Sequence, residues 1–173
     1  MEKSLSEEKV IYELRMIYPE EGISAAKIEA ICFPPNEACT KEMMLARVRK
    51  APELFLAAIE KSTGEIIGFL NGLSTNEAAL RDEFFTNPDL YDPDGKNVML
   101  LGLDVLPKYR GQGIASALVK NYAERAKKQG REMLILTCHE EKIAMYEKMG
   151  FRDRGWGQSV WGGEPWHEME MIL

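Results

Sequence analysis

The alternation of apolar and polar positions divides this chain into short strands and amphipathic helices. Val10 to Ile17 alternates β-branched or aromatic side chains with polar ones, which predicts a first strand. Ser24 caps a predicted helix that runs to Cys32 and ends at Pro34-Pro35. Thr40 caps a second, with Met43, Met44 and Val48 on its apolar face. Leu54 to Ile59 and Glu65 to Leu70 are apolar runs joined by Ser62-Thr63-Gly64, the pattern of a hairpin. Asn76 to Phe85 reads as a short helix leading into a Pro/Gly/Asp-dense loop, Asn87 to Lys96. A loop of that length inside a compact domain is expected to be functional or mobile.

Beyond the loop, Val98 to Val105 is nearly continuous in apolar residues, as a buried central strand is. Gly113 to Gln129 follows with Ala115, Leu118, Val119, Tyr122 and Ala126 on one helical face, and Gly130 stops it. Met133 to Thr137 is a further buried strand, and Glu141 to Met149 a short helix ended by Gly150. Phe151 to Arg154 and His167 to Ile172 close the chain as strands. The order β-α-α-β-β-β-α-β-α-β-β is neither regular βαβ alternation nor all-β. It predicts an α/β (α+β) fold with a mixed central sheet of about seven strands and helices on both faces.

Bulk properties narrow the function classes. The 173 residues suit one domain spanning 1–173, without repeats or linkers. No stretch approaches the ~20 apolar residues that span a bilayer, so no membrane partner is expected. The N-terminus, Met1 to Lys9, is polar and has no apolar core of a secretory signal, which by default implies a cytoplasmic protein. Cys32, Cys39 and Cys138 lack metal-ligand spacing and read as free thiols. A net charge of −6 disfavours nucleic acid and is compatible with a cationic substrate. Oligomeric state has no signature in the pattern.

The strongest local chemistry lies at Asp104-Val105-Leu106-Pro107-Lys108-Tyr109-Arg110-Gly111-Gln112-Gly113-Ile114-Ala115, where a buried strand ends and a glycine-rich turn opens a helix. The first N–H groups of a helix lack intrahelical partners, and its dipole adds partial positive charge there. A pyrophosphate supplies acceptors and matching charge. Gly111 and Gly113 allow close approach, and Lys108 and Arg110 add charge. A Walker A loop would need Gly-Lys-Ser/Thr, which is missing. A dinucleotide fingerprint would need a third glycine where Ser116 stands, and an acidic residue at the end of the next strand, whereas Glu132 sits at that strand's start. The acyl-CoA pattern Arg/Gln-x-x-Gly-x-Gly/Ala is met by Arg110, Gly113 and Ala115. A glycine-rich helix start that binds nothing is the remaining alternative.

Arg110 to Leu118, followed some thirty residues later by Tyr146-Glu147-Lys148-Met149-Gly150-Phe151, resembles the GNAT superfamily of N-acetyltransferases. Cys32 to Ala38, the insert before the fourth strand and Trp166-His167-Glu168-Met169 resemble its serotonin (arylalkylamine) N-acetyltransferase-like branch. The resemblance implies a GNAT-like sheet and acetyl-CoA as acyl donor, with no metal. It further implies a small primary amine as acceptor, with arylalkylamines among the candidates. Cys138 and His139 are sequence neighbours whose side chains point to opposite faces of an extended strand, so no Cys–His nucleophile is expected and transfer is read as direct. The resemblance places the donor on Arg110, Gly111, Gln112, Gly113, Ile114, Ala115 and Ser116, with the pantetheine arm along Leu103, Asp104 and Val105. The Val105 N–H is the implied oxyanion donor, and Thr137 stands on the arm's other side. Tyr146, protonated at neutral pH, is the implied acid for the departing thiolate. Phe33, Pro34 and Glu37 belong to the loop over the acceptor. Where that branch carries two strand histidines this chain has Met99 and Leu101, so the base is unassigned among Asp104, His139, His167 and a water chain to solvent, while Glu29 and Glu37, flanking the acceptor loop, are candidates to attract a cationic amine. Without those histidines an idle acyl-CoA-binding or sensing domain is the rival reading, and a protein or peptide acetyltransferase the third. Trp156, Trp161 and Trp166 are candidates for an apolar acceptor wall.

Overall fold

In the computed structural model, which describes residues 9–173, seven strands form one sheet in the order β1-β2-β3-β4-β5-β7-β6. The strands are β1 Tyr12–Met16, β2 Phe55–Glu60, β3 Ile66–Thr75, β4 Asn97–Val105, β5 Met133–Cys138, β6 Arg152–Trp156 and β7 His167–Ile172. β4 and β5 run parallel, and the other neighbours in this sheet are antiparallel. The helices are α1 Gly22–Cys32, α2 Lys41–Lys50, α3 Glu83–Thr86, α4 Ile114–Lys128 and α5 Ile143–Lys148. The signal-free reading of the N-terminus falls mainly on residues 1–8, outside those described. Among the described residues, no helix is long and apolar enough to cross a membrane.

The two-residue period of β2 decides the layering. Phe55, Ala57 and Ile59 face a core with Ala25, Ile28, Met44 and Val48 of α1 and α2. Leu56 and Ala58 face the opposite core, with Leu118, Val119, Tyr122 and Ala126 of α4. Tyr122 is fully enclosed, and its hydroxyl donates to the Leu54 carbonyl at 3.0 Å.

Three boundaries differ from the pattern. α1 starts at Gly22, after a 3-10 turn over Pro19–Glu21, and Ser24 caps nothing. Glu21 instead pairs with Arg15 at 2.7 Å and accepts from Tyr18 N–H at 2.8 Å. β3 continues to Thr75 because β4 pairs with it to that point. Between Asn76 and Phe85 only α3 is helical. The backbone there is committed elsewhere: Leu80 N–H donates to Glu168 at 2.7 Å, and Asn97 binds the Glu77 carbonyl at 2.9 Å. Tertiary bonds override local helix propensity.

The loop 87–96 is pinned rather than draped over a site. Ser74 and Asp92 exchange hydrogen bonds of 2.6 and 2.9 Å, and Arg131 donates to the carbonyls of Pro93 and Gly95. At Gly95 a Cβ would fall 2.3 Å from Thr75 N and 2.6 Å from its Cα, both backbone atoms that cannot step aside. Gly95→Ala should therefore lower stability by about 1–3 kcal/mol, measured by urea unfolding; an unchanged midpoint would show that the loop relaxes freely.

Candidate active site

The β3–β4 ladder opens the site. Asn71 pairs with Gly102 and Gly72 with Leu100, so Leu101 is an extra residue, a bulge that bends β4. β4 and β5 pair only from Asn97 to Met99, and beyond that they diverge. Leu106 N–H donates to the Ile67 carbonyl at 3.0 Å, which makes that a hydrogen-bonded pair. Such pairs alternate along an antiparallel ladder. Leu103 and Val105 therefore stand at the intervening positions, with their N–H and C=O groups aimed into the gap beside β5. The Val105 carbonyl accepts from Arg110 Nε at 2.9 Å and Cys32 Sγ at 3.4 Å, while its N–H faces the gap.

At the mouth of this gap, Gly111 and Gly113 both have positive φ, 77° and 80°, a region that disfavours any side chain. Nothing lies within 4 Å of where their Cβ atoms would be, so the turn faces open space. α4 begins at Ile114 with no side-chain cap, leaving its first N–H groups available to an anion. A cavity of about 620 Å³ runs from this turn through the gap. Residues 110–116, except Gln112, line it with Leu103, Val105, Thr137 and Tyr146.

Tyr146 stands on α5 opposite β4, its ring edge-on to Phe151 at 5.7 Å. Gly150, at φ 106°, ends the helix and lets Phe151 N–H return to the Tyr146 carbonyl at 3.0 Å. Burial first, then the charges of Cys138 and Asp104, push the Tyr146 phenol above its ordinary value, so it holds its proton at neutral pH.

The far end of the cavity is aromatic and acidic. Phe33, Pro34 and Glu37 line it from the turn after α1. Glu37 binds His139 Nε2 at 2.9 Å, and its carbonyl accepts from Trp161 Nε1 at 2.8 Å. His139 stacks on Trp166 at 4.0 Å and Trp161 on Phe85 at 4.8 Å. Glu29, on the buried stripe of α1, completes this wall.

Most residues expected at the site thus converge on one cavity. Two do not. Asp104 pairs with Phe69 of β3, and its side chain is buried against α1, away from the cavity, because adjacent strand positions face opposite sides. Gln112 turns its side chain back to accept from Val10 N–H at 2.8 Å, tying the turn to the chain just before β1. Of the three tryptophans, Trp156 is exposed and lies tilted against His167, outside the cavity. His167 is bonded to Asp153 at 3.1 Å and lies outside it too. The 87–96 loop contributes nothing to the lining, since Arg131 and Ser74 hold it elsewhere. Met99 is sealed in the core and Leu101 is apolar, so β4 offers no base at those positions. Phe85 and Gly102 also line the cavity, and neither is marked by its sequence pattern; the β4 bulge that exposes Gly102 has no local signal.

Comparison with known proteins agrees with this geometry. The chain is 33% identical over 82 residues to the thialysine N-epsilon-acetyltransferase of Sus scrofa, covering 43% of this chain and 48% of that one. It is 39% identical over 46 residues to a glucosamine 6-phosphate N-acetyltransferase of Trypanosoma brucei brucei, covering 27% and 31%. The aligned regions thus reach no more than about half the length of these relatives. Its fold is that of a GNAT-like decarboxylase, GphF, in complex with isobutyryl-CoA, with TM-score 0.76 at 20% identity over 92% of this chain and 98% of that one. The paia N-acetyltransferase from Thermoplasma acidophilum in complex with coenzyme A superimposes with TM-score 0.69 at 18% identity, over 94% and 99%. The family described as Acetyltransferase (GNAT) family matches residues 13–151, which hold the bulged β4, the turn of Gly111 and Gly113, and Tyr146: the chain belongs to the GNAT acetyltransferase family.

Proposed function

We propose that this protein is an N-acetyltransferase that moves the acetyl group of acetyl-CoA directly to a primary amine. The observation that carries the reading is one continuous cavity with an anion-binding helix start at one end and carboxylates among aromatic rings at the other. Acetyl-CoA, when bound, supplies an activated thioester. The N–H groups at the start of α4 and residues Arg110 to Ser116 suit its pyrophosphate. The free edge of Leu103 and Val105 suits an amide-bearing pantetheine arm added like a strand, with Thr137 across the gap. The Val105 N–H faces the gap, where an oxyanion donor is needed. Tyr146 is the acid that protonates the departing thiolate.

The acceptor is a small cationic amine with an apolar body, an arylalkylamine-like shape. Phe33, Pro34, Phe85, Trp161 and Trp166 offer it apolar surface, and Glu29 and Glu37 attract its charge. The thialysine and glucosamine 6-phosphate enzymes, by their names, also act on amines, which supports the acceptor class.

Free thiol released from acetyl-CoA, assayed across aromatic amines, polyamines and amino acids, tests the reading. Acetyl-CoA at 100 times its Kd should stabilise the protein by about 2.7 kcal/mol in a thermal melt. Turnover should appear with at least one primary amine. Tight acetyl-CoA binding with no turnover on any of them would favour the idle sensing domain.

A further inference from the structure

Two carboxyl groups meet behind the cavity wall with no donor between them. Glu29, on α1, and Asp104, on β4, are 3% and 1% exposed. Glu29 Oε2 accepts from Cys39 N–H at 3.0 Å, but among the described residues Glu29 Oε1 and both Asp104 oxygens have no hydrogen-bond donor. Their meeting point is Gly102, next to the β4 bulge. A Cβ on Gly102 would lie 3.1 Å from Asp104 Oδ1, 3.2 Å from Asn71 Nδ2 and 3.3 Å from Glu29 Oε1. Those distances leave no room for a methyl group, so the glycine lets three polar groups close up at this point, and both Gly102 and Glu29 line the cavity.

Buried acceptors facing each other repel unless a proton lies between them. Burial first, then the charge of Glu29, raise the Asp104 carboxyl well above the usual carboxylate range, with Cys32 raising it further and Arg47 opposing. The groups facing the pair are Cys32 of α1, Cys39 of the following turn, Arg47 of α2 and Asn71 of β3. Arg47 is itself buried, with Nη2 on the Phe85 carbonyl at 3.0 Å and Nη1 without a partner among the described residues. With one proton shared, the pair carries one negative charge against the positive charge of Arg47. A proton arriving from a cation at Gly102 is then accepted by a carboxylate that is already enclosed.

We infer that Glu29 and Asp104 act as a proton-sharing pair that takes a proton from the ammonium of the acceptor where Glu29 and Gly102 line the cavity wall. This rests on the N-acetyltransferase reading. The substrate ammonium brings one positive charge to a singly negative pair; transfer of a proton to Glu29 leaves a neutral amine beside a neutral pair. The amine lone pair forms the new C–N bond as the C–S bond breaks. Of the two protons the ammonium loses in becoming an amide, one offsets the proton that Tyr146 places on the thiolate. The other leaves by way of the pair to solvent. Glu29 supplies the accepting oxygen; Asp104 is a positioning residue that holds the shared proton against it.

The test compares Glu29→Gln with the unaltered enzyme on phenethylamine and on β,β-difluorophenethylamine, whose nitrogen is far less basic and mostly neutral near pH 7. The glutamine amide retains an oxygen for Cys39 N–H, and an unchanged acetyl-CoA thermal shift checks the fold. At pH 7, kcat/KM for phenethylamine should fall by about 100-fold, the scale of a lost general base. The loss should be slight for the fluorinated amine, and should shrink as pH rises and free amine accumulates. Glu29→Asp, which keeps the carboxylate, should recover part of the loss with the original pH profile. Equal losses on both amines at every pH, or no loss, would overturn the pair while leaving the transferase reading intact. Should the unaltered enzyme bind acetyl-CoA yet acetylate no amine, the transferase reading fails and takes the pair with it.

Discussion

Tyr146→Phe should lower kcat by about 100-fold or more while leaving the acetyl-CoA thermal shift unchanged. The substitution deletes one oxygen and keeps the ring, so the edge-on contact with Phe151 and the turn through Gly150 survive. What disappears, on the proposed mechanism, is a proton source. A phenol whose proton is held more tightly than usual by burial is a poor acid toward water, yet it is matched to a thiolate leaving group, which is a stronger base in an apolar cleft than in water. The effect should fall on kcat and kcat/KM alike, because the hydroxyl acts as the C–S bond breaks and not when the donor binds. A thioester with a more acidic thiol leaving group should lose less. A kcat within about twofold of the unaltered enzyme, too small for a lost general acid, would remove Tyr146 from the chemistry and leave it a packing residue.

The end of the cavity that we propose for the donor was visible in the sequence as a candidate because its features are local. Arg110 to Ala115 is one short segment in which strand end, glycine turn and helix start follow in order, and each signal has a physical cause at its own position. Tyr146 and Gly150 lie on one short helix and its stop. The acceptor half is assembled from distant segments. Glu29, Asn71, Gly102 and Asp104 come from α1, β3 and β4 and meet through the pairing of β3 with β4, next to a bulge at Leu101 that no local pattern marks. One sequence signal did exist: Ala25, Ile28, Glu29 and Cys32 share the helical face of α1 that packs on the sheet, which puts a carboxylate in an apolar stripe. The same distinction governs the fold. The strands followed from their own hydrophobicity, whereas the 77–82 segment followed from Glu168 and Asn97, which are remote in sequence and take the hydrogen bonds a helix would have used.

That remote control leads to the largest expected change in stability. Arg154 of β6 donates to Glu170 at 2.7 Å, to Glu168 at 3.0 Å and to the Ala78 carbonyl at 2.7 Å. Both glutamates point to one face of β7 and are only 7% and 5% exposed. Arg154→Met keeps most of the length of the side chain but leaves two enclosed carboxylates, with Arg152 still paired to Glu170. The cost should be about 3 kcal/mol, since breaking a buried pair strands its charge. Burial alone would raise the Glu170 carboxyl, but Arg152 and Arg154 overcome it and hold it below the ordinary range. Its contribution is therefore complete above the ordinary carboxylate pKa and is lost as pH falls through the lowered value. In Arg154→Met that depression is weakened, so the Glu170 carboxylate protonates more readily and the deficit should narrow as pH falls from neutral into the ordinary carboxylate range of about 4, as read by urea unfolding at each pH. A deficit independent of pH would mean that packing, not charge, is lost. The change should also reach the acceptor end. Arg154 and Glu168 hold the segment from Ala78 to Leu80 that leads into α3, where Phe85 stacks on Trp161 at the cavity wall. Freed from them, the aromatic wall loses its backing. KM for the amine should then rise several-fold while acetyl-CoA affinity, which we propose is set by the distant Gly111 and Gly113 turn, stays constant.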